Sequence, residues 1–179
     1  MRRVWMIGGV VLAAVLAVVA IRGRQDKSKR PSPPAPTTKC DLPGGKAITV
    51  DYSSPQMKGR KIFGGLVPYG QVWRAGANEA TTFLTTSDLM IGGKRVPAGS
   101  YTLFTIPDKD KWTLIVSKKT GEWGIPYPEG YDLLRVDMNA GPTSGLVESF
   151  TTGFDKASNG CTLRVEWENT RATVDIATM

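Results

Sequence analysis

The sequence predicts an all-β domain, an antiparallel β-sandwich or jelly-roll-like fold, carried behind an N-terminal transmembrane helix. Three observations predict it. From Lys46 onward apolar residues recur with period two, the spacing that sets one face of a strand on a core and the other in water. Turn signals rich in Gly, Pro and Asn separate these runs, and no window of the domain holds ten residues of helical periodicity. Ahead of the domain lies one uninterrupted apolar run, residues 4–21.

Taken in order, that run comes first. As a helix its eighteen residues would span about 27 Å, enough to cross a hydrocarbon core. Such a segment is either a cleaved signal peptide or a retained anchor. The run exceeds the usual signal core, and Arg22 would follow directly on the small residues Val18-Val19-Ala20. An uncleaved anchor over residues 1–21 is therefore expected. Residues 22–39 read as a basic, Pro-rich linker with Arg22, Arg24, Lys27, Lys29 and Arg30 ahead of Pro31, Pro33, Pro34 and Pro36. A polyproline-like chain of that length would hold the domain up to roughly 50 Å from a membrane.

The domain is expected over residues 40–179. Ile48, Val50 and Tyr52 alternate with Thr49 and Asp51; Phe83 lies between Thr81 and Thr85 on one face. Tyr101 to Ile106 is apolar or β-branched throughout, as in a strand buried on both faces. Trp112, Leu114 and Val116 alternate, as do Leu163, Val165 and Trp167 against Arg164, Glu166 and Glu168. Ala172, Val174 and Ile176 make a last strand. Turns are expected at Gly92-Gly93, Pro97-Ala98-Gly99, Pro107-Asp108, Asn159-Gly160 and Asn169-Thr170.

Charge and composition narrow the function. Residues 1–39 hold eight Lys and Arg against one acid, and so carry the whole net charge of +7. The domain itself is neutral, which argues against a nucleic-acid reader and for a membrane surface as partner of the basic residues. There is no histidine, so His-based triads, His-ligated zinc and imidazole acid–base catalysis are excluded. The two cysteines, Cys40 and Cys161, are either unrelated thiols or one disulfide closing a long loop, worth about 4–5 kcal/mol in the chain-entropy model. We expect the disulfide.

The densest chemistry lies in residues 59–82, GRKIFGGLVPYGQVWRAGANEATT. Arg74 and Glu79 are lone charges in a neutral stretch. One reading is a buried structural ion pair that fixes a loop. The other is a polar pocket in which Arg74 and Glu79 contact a ligand and Trp73 stacks on it. Either way the stretch is expected to line the main concavity, with Arg74 and Glu79 paired at its floor. Arg60 beside Gly59 suggests a phosphate cradle, although a bulge or tight turn explains the glycines equally. Trp123 and Tyr127, in a Gly- and Pro-containing loop, suit a sugar platform. The candidate ligand-binding set is thus Arg60, Trp73, Arg74, Asn78, Glu79, Trp123 and Tyr127. Asp108-Lys109-Asp110 has too few oxygen ligands for calcium and reads as a solvated turn. No metal or cofactor is expected.

Several of these motifs occur together in one family. Tyr52-Ser53-Ser54-Pro55, Ile62-Phe63-Gly64, Leu66-Val67-Pro68-Tyr69-Gly70, the run from Val72 to Thr81, Ile91-Gly92-Gly93, Trp123-Gly124 and Leu134-Arg135-Val136 resemble the bacterial DUF2911 family over about residues 46–177. The resemblance implies an exported bacterial β-domain and brings no activity or ligand with it. The positive-inside rule alone would put the domain in the cytoplasm. The signal-like N-terminus, the possible disulfide and the resemblance point outside, and we expect an inner-membrane protein with its domain on the periplasmic side. The function expected is a non-catalytic module binding a small polar ligand or an envelope protein. The alternative is a carboxylate-dependent enzyme on envelope glycans or other small polar substrates, for example with Glu79 and Asp132 as its acid–base pair.

Overall fold

The computed structural model describes residues 32–179. Nine antiparallel strands follow in chain order: β1 (Thr38–Leu42), β2 (Lys46–Asp51), β3 (Thr81–Thr85), β4 (Leu89–Ile91), β5 (Lys94–Val96), β6 (Gly99–Ile106), β7 (Lys111–Ser117), β8 (Asp132–Ala157) and β9 (Gly160–Thr178). One 3-10 turn, Pro43–Gly45, is the only helical element among the described residues. The expected membrane-spanning residues 4–21 and the first part of the linker lie outside the described residues. Within them, no helix is long and apolar enough to cross a membrane.

All nine strands share one hydrogen-bonded sheet in the order β1-β2-β3-β6-β7-β8-β9-β4-β5. The all-β, antiparallel expectation holds, but the strands form one continuous sheet where two packed sheets were expected. This sheet is curled. β1 and β9 stand six places apart in it, which at the usual strand spacing would be about 29 Å on a flat sheet. Yet Cys40 on β1 and Cys161 on β9 are joined in a disulfide with Cα atoms 6.6 Å apart. The expected bridge is thus present, and it fastens one edge of the sheet across its own concave side.

That concave side holds the core. Ile48, Val50, Phe83, Leu103, Leu114, Leu163, Val165 and Ile176 are buried there, each on the face that period-two reading assigned to the interior. At its centre sits an aromatic cluster. Trp73 stacks on Trp167 at 5.9 Å with an interplanar angle of 18°. Phe150 meets Trp73 edge-on at 5.0 Å, and Phe63 meets Trp112 at 4.8 Å. A smaller cluster of Ala80, Phe104 and Ile115 lies apart from the main one, with Val72, Ile106 and Tyr127 against it. Phe104 alternates with Leu103 and Thr105, so this second cluster occupies the other face of β6. It accounts for the strand buried on both sides.

Three boundaries differ from the sequence reading. First, the fold begins before residue 40: Ala35 N–H donates to the Tyr52 carbonyl and Ser54 N–H to the Pro33 carbonyl, both at 3.0 Å. Residues 32–37 thus run as a strap along the continuation of β2, and its prolines sit at an edge where their missing N–H costs no ladder bond. Second, β8 is 26 residues long, in a stretch where the alternation picks out no strand. Gly141-Pro142 and Gly145 look like breakers, and the strand passes them by a register shift against β9 between Pro142 and Thr151. Third, the turn expected at Asn169-Thr170 is a kink inside β9, with Glu168 at φ +56°.

Candidate functional site

The route from β2 to β3 takes twenty-nine residues of irregular chain, and its shape is set by a few polar anchors. Asn78 is the main one. It is buried, adopts φ +59°, a conformation asparagine tolerates better than most residues, and its Nδ2 donates to both the Ser32 carbonyl at 2.7 Å and Ser53 Oγ at 3.0 Å. Thr81 Oγ1 closes the same turn by donating to the Ala75 carbonyl at 2.7 Å. Gly76 is needed there, because a β-carbon would stand 3.0 Å from the Ser53 carbonyl oxygen. These bonds tie strap, β2 and the turn before β3 into one unit.

Between them lies a groove of about 390 Å³. Pro34, Ala35 and Thr37 form one wall; Asp51, Tyr52 and Ser53 the floor; Glu79, Ala80 and Thr82 the other wall. Thr37 Oγ1 is hydrogen-bonded to the Asp51 carboxylate. Among the described residues the lining carries two carboxylates, several hydroxyls and no basic side chain. Such acceptors suit a cationic or hydroxyl-rich ligand.

The candidate residues divide around this groove. Glu79 lines it and Asn78 builds it. Arg74 faces elsewhere: its Nη1 donates to the Trp123 carbonyl at 3.1 Å, and its guanidinium carbon lies 4.9 Å over the Trp123 ring. Burial lowers the Arg74 pKa, and the Glu79 charge opposes that shift from a distance. The fork expected between Arg74 and Glu79 is replaced by a cation–π contact, because the loop after β7 presents an aromatic face and a free carbonyl to the guanidinium. Trp73 is half-buried and packs against the core, with one face stacked on Trp167. Arg60 closes its own turn, donating to the Met57 carbonyl at 2.8 Å and the Gln56 carbonyl at 2.6 Å. It borders a separate depression of about 230 Å³ with Lys58.

Residues 118–131 cover the outer face of β6 and β7. Glu122 accepts from Ala80 N–H at 3.0 Å. Gly124, at φ +82°, lets the loop settle so close that a β-carbon would lie 2.9 Å from that of Ala80. Tyr127 packs edge-on against Phe104 at 4.9 Å, and its hydroxyl is bonded to Asp132. Burial first, and then the Asp132 carboxylate, push the Tyr127 phenol up to about 12. Arg135 Nε completes the latch on Asp132 at 2.7 Å and is itself raised by that bond. Tyr127 is therefore a latch, while Trp123 stays 49% exposed. Asp132 is engaged in this latch and does not line the groove. Among the described residues no three His, Cys, Asp or Glu side chains gather as a metal site.

Sequence reading missed Thr37, Asp51, Ser53 and Thr82. Asp51 and Thr82 alternate outward along their strands as solvated residues do, and Thr37 lay in the expected linker. Only the pairing of β2 with the strap on one side and with β3 on the other makes them neighbours.

The family model described as "Protein of unknown function (DUF2911)" matches residues 32–176. No curated protein and no solved structure matches the chain. The chain belongs to the DUF2911 family.

Proposed function

We propose that this DUF2911 domain is a non-catalytic binding module, anchored in a bacterial inner membrane by residues 4–21 and facing the periplasm. The observation that carries the reading is the groove between strap and β3, with Asp51 on its floor, Glu79 on a wall and no basic residue among the described residues of its lining. Its chemistry fits a small cationic or polyhydroxylated ligand, or a donor-bearing segment of an envelope protein. The disulfide between Cys40 and Cys161 supports an oxidising compartment. In this reading the two ends of the curled sheet act as the two layers of a sandwich, and the groove opens at the edge where the tether enters.

The enzymatic alternative on Glu79 and Asp132 gains no support, since Asp132 is held by Tyr127 and Arg135 on the outer face. A thermal-shift screen of the full chain in detergent, with polyamines, amino sugars and neutral oligosaccharides, tests the binding reading. A compound that raises the melting temperature of the wild type, and not of folded Asp51→Asn or Glu79→Gln, supports it. Equal shifts in all three proteins sink it. Protease added to spheroplasts tests the placement: a domain that stays protected lies on the cytoplasmic side.

A further inference from the structure

A tether can be no longer than ten residues. Because residues 32–37 are bonded into the fold, at most residues 22–31 are left to link an anchor at 4–21 to the domain. Ten extended residues reach at most about 35 Å. A domain of 148 described residues has a radius of gyration of about 15 Å. If residues 4–21 sit in a bilayer, the domain stays within about its own diameter of the surface, and the side where Ser32 enters stays within that reach of the lipid.

That side carries exposed apolar groups. Asn78 holds Ser32, and Ala80 holds Glu122, so the chain entry and the loop are fixed by residues two apart, within about 7 Å along the backbone. Directly after Glu122, Trp123 is 49% exposed and Ile125 66% exposed. Arg74 lies over the Trp123 ring, and Lys119, paired with the Glu122 carboxylate at 3.7 Å, lies 5.1 Å over Tyr131, itself 45% exposed. An indole and an aliphatic tip beside long basic side chains match the boundary between acyl chains and headgroups: the rings enter while the cations stay at phosphate level.

We propose that Trp123 and Ile125 dock into the headgroup–acyl boundary of a phospholipid bilayer and give the domain a second membrane contact beside its N-terminal segment. The docking rests on the anchoring reading above, and it would fix the groove close to the lipid surface. Docking of this kind buries an apolar face by about 5–10 Å, a depth that acyl-chain quenchers report.

The test uses the full chain in lipid vesicles, with one added cysteine labelled by an environment-sensitive fluorophore. Cys40 and Cys161 are bonded to each other and do not compete for the label. Ile125→Cys is the probe, and Ser158→Cys, in the β8–β9 turn at the end of the sheet away from Asn78, is the control. We expect the label at 125 to shift to the blue and lose most of its emission with quencher-bearing lipid, while the label at 158 keeps it. Adding Trp123→Ala should restore much of the lost emission at 125. Flotation of the same vesicles separates the failures. A chain that does not co-float overturns both anchoring and docking. A chain that co-floats with equal emission at 125 and 158 overturns docking alone.

Discussion

Breaking the bridge between Cys40 and Cys161 should cost the domain a large part of its stability. The bridge spans 121 residues of sequence. In the chain-entropy model that loop removes about 16 cal/mol/K from the unfolded chain, or about 5 kcal/mol at 25 °C. Domains of this size are stable by about 5–15 kcal/mol in all, so the loss is between a third and the whole. The folded state gives little back, because both cysteines are 3% exposed and alanine leaves their volume partly empty. β1 would then be held by the five residue pairs it makes with β2 and by the packing of Leu42. The assay is urea unfolding of residues 32–179, read by tryptophan fluorescence, for wild type, Cys161→Ala and Cys40→Ala/Cys161→Ala. With a slope of about 2 kcal/mol/M, the midpoint should fall by about 2.5 M. Single and double variants should fall alike, since either one opens the bridge. A midpoint within about 0.5 M of wild type would refute the argument, because closing so long a loop would then contribute nothing.

Other outcomes follow from the same contacts. Trp73→Ala should cost about 3 kcal/mol by emptying the centre of the aromatic cluster, whereas Trp123→Ala should cost less than about 1 kcal/mol; chemical denaturation that ranks them the other way would contradict the core placement of Trp73. Asn78→Ala should cost about 2 kcal/mol, from two lost side-chain bonds and a positive φ. It should also speed hydrogen exchange at Ala35, and an unchanged rate there would mean that Asn78 does not hold the strap. The Tyr127 phenol is raised to about 12 in the folded state, against about 10 unfolded. Its contribution is fully present below pH 10 and is lost as pH rises toward 12, because the unfolded chain releases that proton first. Tyr127→Phe should flatten the decline of melting temperature over that window, and an identical slope in both proteins would count against the latch.

What the sequence determined by itself is local. Alternation assigned the inward faces of β2, β3, β7 and β9, because a strand's side-chain period is a property of its own backbone. The unbroken apolar run of β6 announced burial on both faces, and the absence of histidine closed off whole classes of chemistry before any fold was known. Of the Trp-Arg-x-Gly-Ala-Asn-Glu motif, Asn78 builds and Glu79 lines the groove proposed as the site. What only the tertiary structure decided depends on partners far away in the chain. The curl of the sheet brings Cys40 beside Cys161, an arrangement no local pattern encodes. Glycine and proline in β8 signal a break in any single-strand reading, and only pairing with β7 and β9 carries the strand through. Arg74 chose the carbonyl and ring of Trp123, 49 positions along, over the carboxylate five residues away. A guanidinium takes whatever acceptors and aromatic faces the fold brings to it. The groove has the same origin. Thr37 and Asp51 become one wall and one floor only when the strap lies down along β2, and that pairing is a contact between segments which, read singly, look like linker and solvent.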